Sequence, residues 1–156
     1  MGQIKSKYGF SHRDAEAQRK TMKELNQITE KIIGCAIEVH KHLGPGLLES
    51  IYEKALCHEL DDNKVIYERQ IIIPVIYKGF NLGDYRLDLL VEKEIIVELK
   101  AIDKIHPVYE AQVLSYLKLT DKKLGLLINF NTPTLKSGIK RIIFGILCVS
   151  VPLWLN

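Results

Sequence analysis

Asp88, Glu98 and Lys100 are the residues of this chain whose types and spacing could do chemistry. Asp88 lies in Tyr85-Arg86-Leu87-Asp88-Leu89-Leu90, and Glu98-Leu99-Lys100 follows shortly after. An acid on one strand, then an acid and a lysine on the next, is the least equipment that holds a divalent cation beside a phosphate and activates a water there. The same residues also suit the wet face of an amphipathic hairpin. In that reading Arg86, Asp88, Glu98 and Lys100 simply alternate with apolar neighbours.

Glu92-Lys93-Glu94 reads as the turn between the two strands. If it centres on Lys93, Asp88 faces Glu98 across an antiparallel pair, with Cβ atoms about 4.5–5.5 Å apart. Like charges so placed repel unless a cation lies between them. Side chains alternate along a strand, so Lys100 shares the face of Glu98, and Leu87, Leu89, Val97 and Leu99 turn to the other. Three further groups could join them. Gln112 and Tyr116 stand one helical turn apart, and a Gln beside a Tyr can orient a lysine, a water or a phosphate oxygen. Glu49, with Glu53 one turn on, opens a helix and could supply another metal oxygen; an acid in a first turn is also favoured on its own account. His40, late in the first helix, could ligate a metal, although a histidine there more often packs or caps.

The elements that must position these residues follow from periodicity. Residues 1–25 are polar and read as an N-terminal arm or frayed helix, open to disorder. Ile28, Ile32, Cys35, Ala36, Val39 and Leu43 recur at helical spacing and end at Gly44-Pro45. A second helix is expected from Gly46 to Asp62, with Leu48, Tyr52, Ala55, Leu56 and Leu60 buried. The period then switches to two. Strands are expected over Val65–Tyr77 with a break at Pro74, then over 82–91 and 94–101. Pro107 starts a third helix to Thr120, and strands follow over 123–130 and 139–144. The order α-α-β-β-β-α-β-β indicates an α/β protein of the α+β-like kind, a mixed central sheet flanked by helices. The domain is expected over 26–144, followed by an apolar tail, 145–156, that could add a strand or cover a homodimer face.

Composition narrows the classes. The chain has 156 residues, 47% hydrophobic and 26% charged, which suits one globular domain with a real core. No apolar run is long enough to span a bilayer, so no membrane partner is expected. Three widely spaced cysteines make neither a zinc pattern nor a disulfide framework and suit a reducing cytoplasm. The net charge of +3 sits in residues 1–21, which hold five basic and two acidic residues; the rest is neutral. Global charge is therefore weak evidence for nucleic-acid binding.

Gly46-Leu-Leu-Glu49-Ser-Ile-Tyr52 resembles the signature of the GxxExxY proteins. Glu30–His40, Tyr67–Gln70, Asp84–Glu92, Ile96–Ala101, Ala111–Lys118 and Leu124–Phe130 resemble that family's successive blocks in order, over about residues 22–144. The family is similar to the PD-(D/E)XK nuclease superfamily, which implies a restriction-endonuclease-like core. By that resemblance Asp88 is the first metal-binding acid, Glu98 and Lys100 are the acid-x-lysine element, and Glu49 is the helical acid. Gln112 and Tyr116 match the Q-x-x-x-Y helix of RecB-type exonucleases. With the backbone carbonyl of Leu99 this donor set is all oxygen, which favours Mg²⁺ or Mn²⁺ over zinc. The implied activity is metal-dependent phosphodiester hydrolysis in nucleic acid, DNA rather than RNA. The competing reading is a non-catalytic nucleic-acid- or protein-binding regulatory module that keeps the fold.

Overall fold

A computed structural model describes residues 12–145, with side chains from Met22 onward. Residues 146–156 of the expected tail and 1–11 of the arm lie outside the described residues. The elements are α1 (His12–Leu43), α2 (Glu49–Asp62), β1 (Tyr67–Tyr77), β2 (Phe80–Val91), β3 (Ile95–Lys100), α3 (Pro107–Thr120), β4 (Leu124–Asn129), a 3₁₀ turn (Leu135–Gly138) and β5 (Ile139–Ile143). Their order is the one expected from periodicity. The five strands form one sheet in sequence order. All neighbours are antiparallel except β3 and β4, which run parallel because α3 carries the chain back across the sheet.

Two apolar layers hold the sheet. Ile32, Ala36 and Val39 of α1 and Tyr52, Leu56 and Leu60 of α2 pack on Leu89, Val97, Leu99 and Leu126. On the opposite face Val113, Tyr116 and Leu117 of α3 pack on Leu87, Ile96 and Leu127. β4 is buried along its whole length, as a parallel strand covered on both faces must be. Helix α3 lies so close to it that a Cβ at Gly125 would stand 2.6 Å from Val113 Cγ1. Among the described residues no helix is long and apolar enough to cross a membrane.

α1 begins at His12, inside the stretch read as an arm or frayed helix. The structure departs from expectation at four places. α2 begins at Glu49 rather than Gly46, because Gly44 and Gly46 hold φ of 65° and 101°, outside helical space. Leu48, expected in the core, is 73% exposed as the residue that precedes the helix. β1 passes through Pro74, which pairs with Asp84 on a sheet edge where no neighbour needs its missing N–H. The register shift comes just after it, between Val75 and Ile76, and a second, local irregularity sits at Gln70. Gln70 has φ 51°, and the β1–β2 pairing steps from Arg69↔Leu89 to Ile71↔Leu87, passing over the pair Gln70 and Asp88. This kink turns the ribbon, so Leu87 packs under α3 while Leu89, Val97 and Leu99 pack under α1 and α2. The expectation that Leu87 shares their face is corrected.

Candidate active site

The turn at Glu92-Lys93-Glu94 sets the register. Glu92 and Lys93 both take positive φ, 51° and 59°, and Glu94 N–H donates to Val91 O at 3.0 Å. Pairs Val91↔Ile95, Leu90↔Ile96 and Leu89↔Val97 follow, so the turn does centre on Lys93. The ladder ends there. At the next position Asp88 and Glu98 replace it: Asp88 Oδ2 accepts the Leu99 N–H at 2.8 Å. The strands therefore part where the two acids stand, and a carboxylate takes the place of a ladder carbonyl.

Glu98 is 4% exposed. Its Oε1 accepts from Lys100 Nζ at 3.2 Å, and its Oε2 is buried with no partner. Leaving a buried carboxylate oxygen unmatched costs on the order of 1–3 kcal/mol or more. Burial, and then the neighbouring charge of Asp88, push the Glu98 carboxyl up to about 7, with Lys100 opposing. Asp88 is also raised, first by burial, while the Leu99 N–H pulls it down.

Glu49 enters from α2. Burial and the charge of Asp88 raise its carboxyl, and Lys100 pulls it back, so Glu49 shares one electrostatic neighbourhood with them. The Gly46 and Tyr52 positions explain how it is aimed. Tyr52 OH donates to Gly44 O at 2.5 Å and accepts the Leu47 N–H at 3.1 Å, while its ring stacks on Phe130 at 4.5 Å. The glycine allows the turn and the tyrosine braces it, so α2 starts at Glu49.

From the other flank α3 supplies Gln112 and Tyr116, joined by a 2.6 Å hydrogen bond from Gln112 Nε2 to Tyr116 OH. Tyr116 is buried, and burial and then the charge of Glu98 push its hydroxyl up to about 12. Its ring meets Tyr85 edge-on at 5.5 Å. His40, offered as a low-ranked ligand, is engaged elsewhere. Its Nε2 lies 2.8 Å from Thr132 O, so it donates there and ties α1 to the loop after β4.

Two groups escaped the sequence reading. Glu53, buried at 7% exposure, accepts Arg69 Nε at 3.0 Å and Nη2 at 2.8 Å on Oε1, and Gln70 Nε2 at 2.8 Å on Oε2. The Gln70 side chain also stabilises the charge of Asp88, whereas Glu53 opposes it. Arg69 is thus held by Glu53. Glu53 was visible one turn after Glu49; its burial was not. The second group is Tyr109, whose ring lies 4.8 Å from Lys100 Nζ.

Asp88, Glu98, Glu49 and the Leu99 carbonyl are the groups that could hold a cation. Among the described residues no three His, Cys, Asp or Glu side chains converge to close a cage round one ion. The orphaned Glu98 Oε2 is the atom that fits a cation. A family model described as the PD-(D/E)XK nuclease superfamily matches residues 26–142. No curated protein and no solved structure matches the chain.

Proposed function

The chain belongs to the PD-(D/E)XK nuclease superfamily, and on that premise we propose that it hydrolyses phosphodiester bonds of nucleic acid, DNA before RNA, with Mg²⁺ or Mn²⁺ as cofactor. On its Gly46–Tyr52 signature we read it as a member of the GxxExxY branch, with residues 26–144 as the catalytic unit. One observation carries the reading: a buried carboxylate oxygen without a partner stands beside a lysine and a second acid. Nothing in the packing of a plain hairpin compensates that atom, whereas a bound cation does.

Asp88 and Glu98 would hold the cation with the Leu99 carbonyl, and Glu49 would reach it through a water of its shell. When bound, such an ion polarises a phosphoryl oxygen and lowers the pKa of water. The chain's own residues do the rest. Lys100, an ammonium beside Glu98, donates to the attacking water or to a phosphate oxygen as charge develops there. The Leu99 N–H fixes one Asp88 oxygen, so the acid cannot rotate away. Tyr116, held by Gln112, keeps its proton at neutral pH and can donate from the α3 side. The raised pKa values of Glu98 and Asp88 mean that loading displaces protons, so affinity rises with pH.

The test is cleavage of single- and double-stranded DNA and of RNA by purified protein with each metal. Mn²⁺ titration by calorimetry runs in parallel. Metal-dependent DNA cleavage that disappears in Asp88→Asn and Lys100→Ala is expected. A second reading, a regulatory module without turnover, draws on the absence of three converging ligands among the described residues and on the domain's neutrality. Protein inert on every substrate and without Mn²⁺ binding would favour it.

A further inference from the structure

Lys100 is the group whose donors must be aimed, and a lysine is the least suited of cations to aim itself. It is a point charge on a flexible stem with three donors. In this protein its side chain is only 15% exposed. One side of Nζ is taken by Glu98 Oε1 at 3.2 Å. Another is covered by the Tyr109 ring, 4.8 Å from nitrogen to centroid. That distance is within the range at which an aromatic face attracts an ammonium. Tyr109 is itself set firmly. It lies in the first turn of α3 behind Pro107, donates its N–H to His106 O at 3.0 Å, and packs with Ile105 against the apolar layer under α3.

We propose that Tyr109 is a positioning residue for Lys100: its ring face and the Glu98 carboxylate clamp the ammonium from two sides, leaving one donor for the reacting water or phosphate. The part of this concerning catalysis rests on the nuclease reading; the clamp does not. The ring performs the task and the hydroxyl does not. Phenylalanine should therefore serve, and an aliphatic side chain of similar bulk should not.

The experiment pairs Tyr109→Phe with Tyr109→Leu, and adds Tyr109→Met as a second aliphatic variant should leucine fail to fold. The first readout needs neither metal nor substrate. Native protein is treated briefly with acetic anhydride, and the acetylation rate of Lys100 is followed by peptide mass spectrometry, with Lys64 and Lys123 as exposed references. Wild type and Tyr109→Phe should label Lys100 at the same slow rate, and the aliphatic variants about fivefold faster, the factor expected for losing a modest cation–π contact. The second readout is DNA cleavage. kcat should fall by about the same factor in the aliphatic variants with KM unchanged, and Tyr109→Phe should match wild type. Equal labelling in all variants, or a phenylalanine variant that behaves like leucine, would overturn the proposal. If wild type cleaves no nucleic acid, the nuclease reading fails while the labelling still decides the clamp.

Discussion

Two buried glutamates flank Asp88, and they differ in what surrounds their oxygens. On the α2 side Glu53 has both oxygens matched, by Arg69 and by Gln70. On the α3 side Glu98 has one oxygen matched by Lys100 and the other by nothing. Their exposures, 7% and 4%, are nearly the same, so burial alone does not distinguish them. Completion does. A carboxylate whose acceptors are all filled by the chain holds elements together, here α2 to the kinked edge of β1. One left half-filled at a cost in stability is what the proposed cation site calls for. The same contrast separates the two cations. Arg69 grips its acid with two nitrogens, while Lys100 gives its acid one donor.

The strongest way to break this comparison is to remove function from each side. Glu98→Gln and Lys100→Ala should each lower kcat for DNA cleavage by about 10²–10³-fold, the usual loss on removing a group aimed at the transition state. Melting temperatures should stay within a few degrees. If Glu53→Gln lowered kcat as far without loss of stability, the distinction would be wrong.

Glu53→Ala should act on the fold. It strands Gln70 and leaves Arg69 without its acid. Because Arg69 is 43% exposed and regains water, we expect about 2–3 kcal/mol lost, below the range for a fully buried pair. Denaturant titration of the metal-free protein measures it.

Titration sharpens the contrast further. Folding raises Glu98 from 4.5 to about 7, so between those values the folded chain binds more protons than the unfolded one. Stability of the metal-free protein should therefore fall as pH rises through that window, by about 3 kcal/mol, and be highest below it. Glu98→Gln should flatten the slope, and Mg²⁺ should stabilise the wild type more at pH 8 than at pH 5. A slope unchanged in Glu98→Gln would assign the titration to another group. The smallest effect is expected at His40. His40→Ala should cost about 1 kcal/mol for its lost hydrogen bond and leave Mn²⁺ affinity unchanged. A weakened Mn²⁺ affinity would return His40 to the ligand set.

Much of the fold was legible because apolar periodicity directly encodes which faces are covered. The switch from helical spacing in α2 to alternation in β1 and β2 needs no tertiary information, and neither does the turn about Lys93 that sets Asp88 near Glu98. The start of α2 and the kink at Gln70 were not legible. Both depend on backbone angles imposed by neighbours: Tyr52 bracing the loop before the helix, and Glu53 holding a residue at positive φ. For the same reason the exchange of Leu87 to the α3 layer could not be read from strict alternation.

What the sequence determined by itself was the cast of the candidate site. Asp88, Glu98, Lys100, Glu49 and the Gln112–Tyr116 pair are recognisable by type and spacing, because strand and helix periods place them on predictable faces. Only the tertiary structure decided which of the acids is complete. That depends on partners brought from elsewhere in the chain: Arg69 and Gln70 to Glu53, the Leu99 N–H to Asp88, and no donor to Glu98 Oε2. Spacing sets which way a side chain points. Whether its charge is matched depends on what other elements bring within hydrogen-bond reach, and burial then makes the difference costly enough to matter.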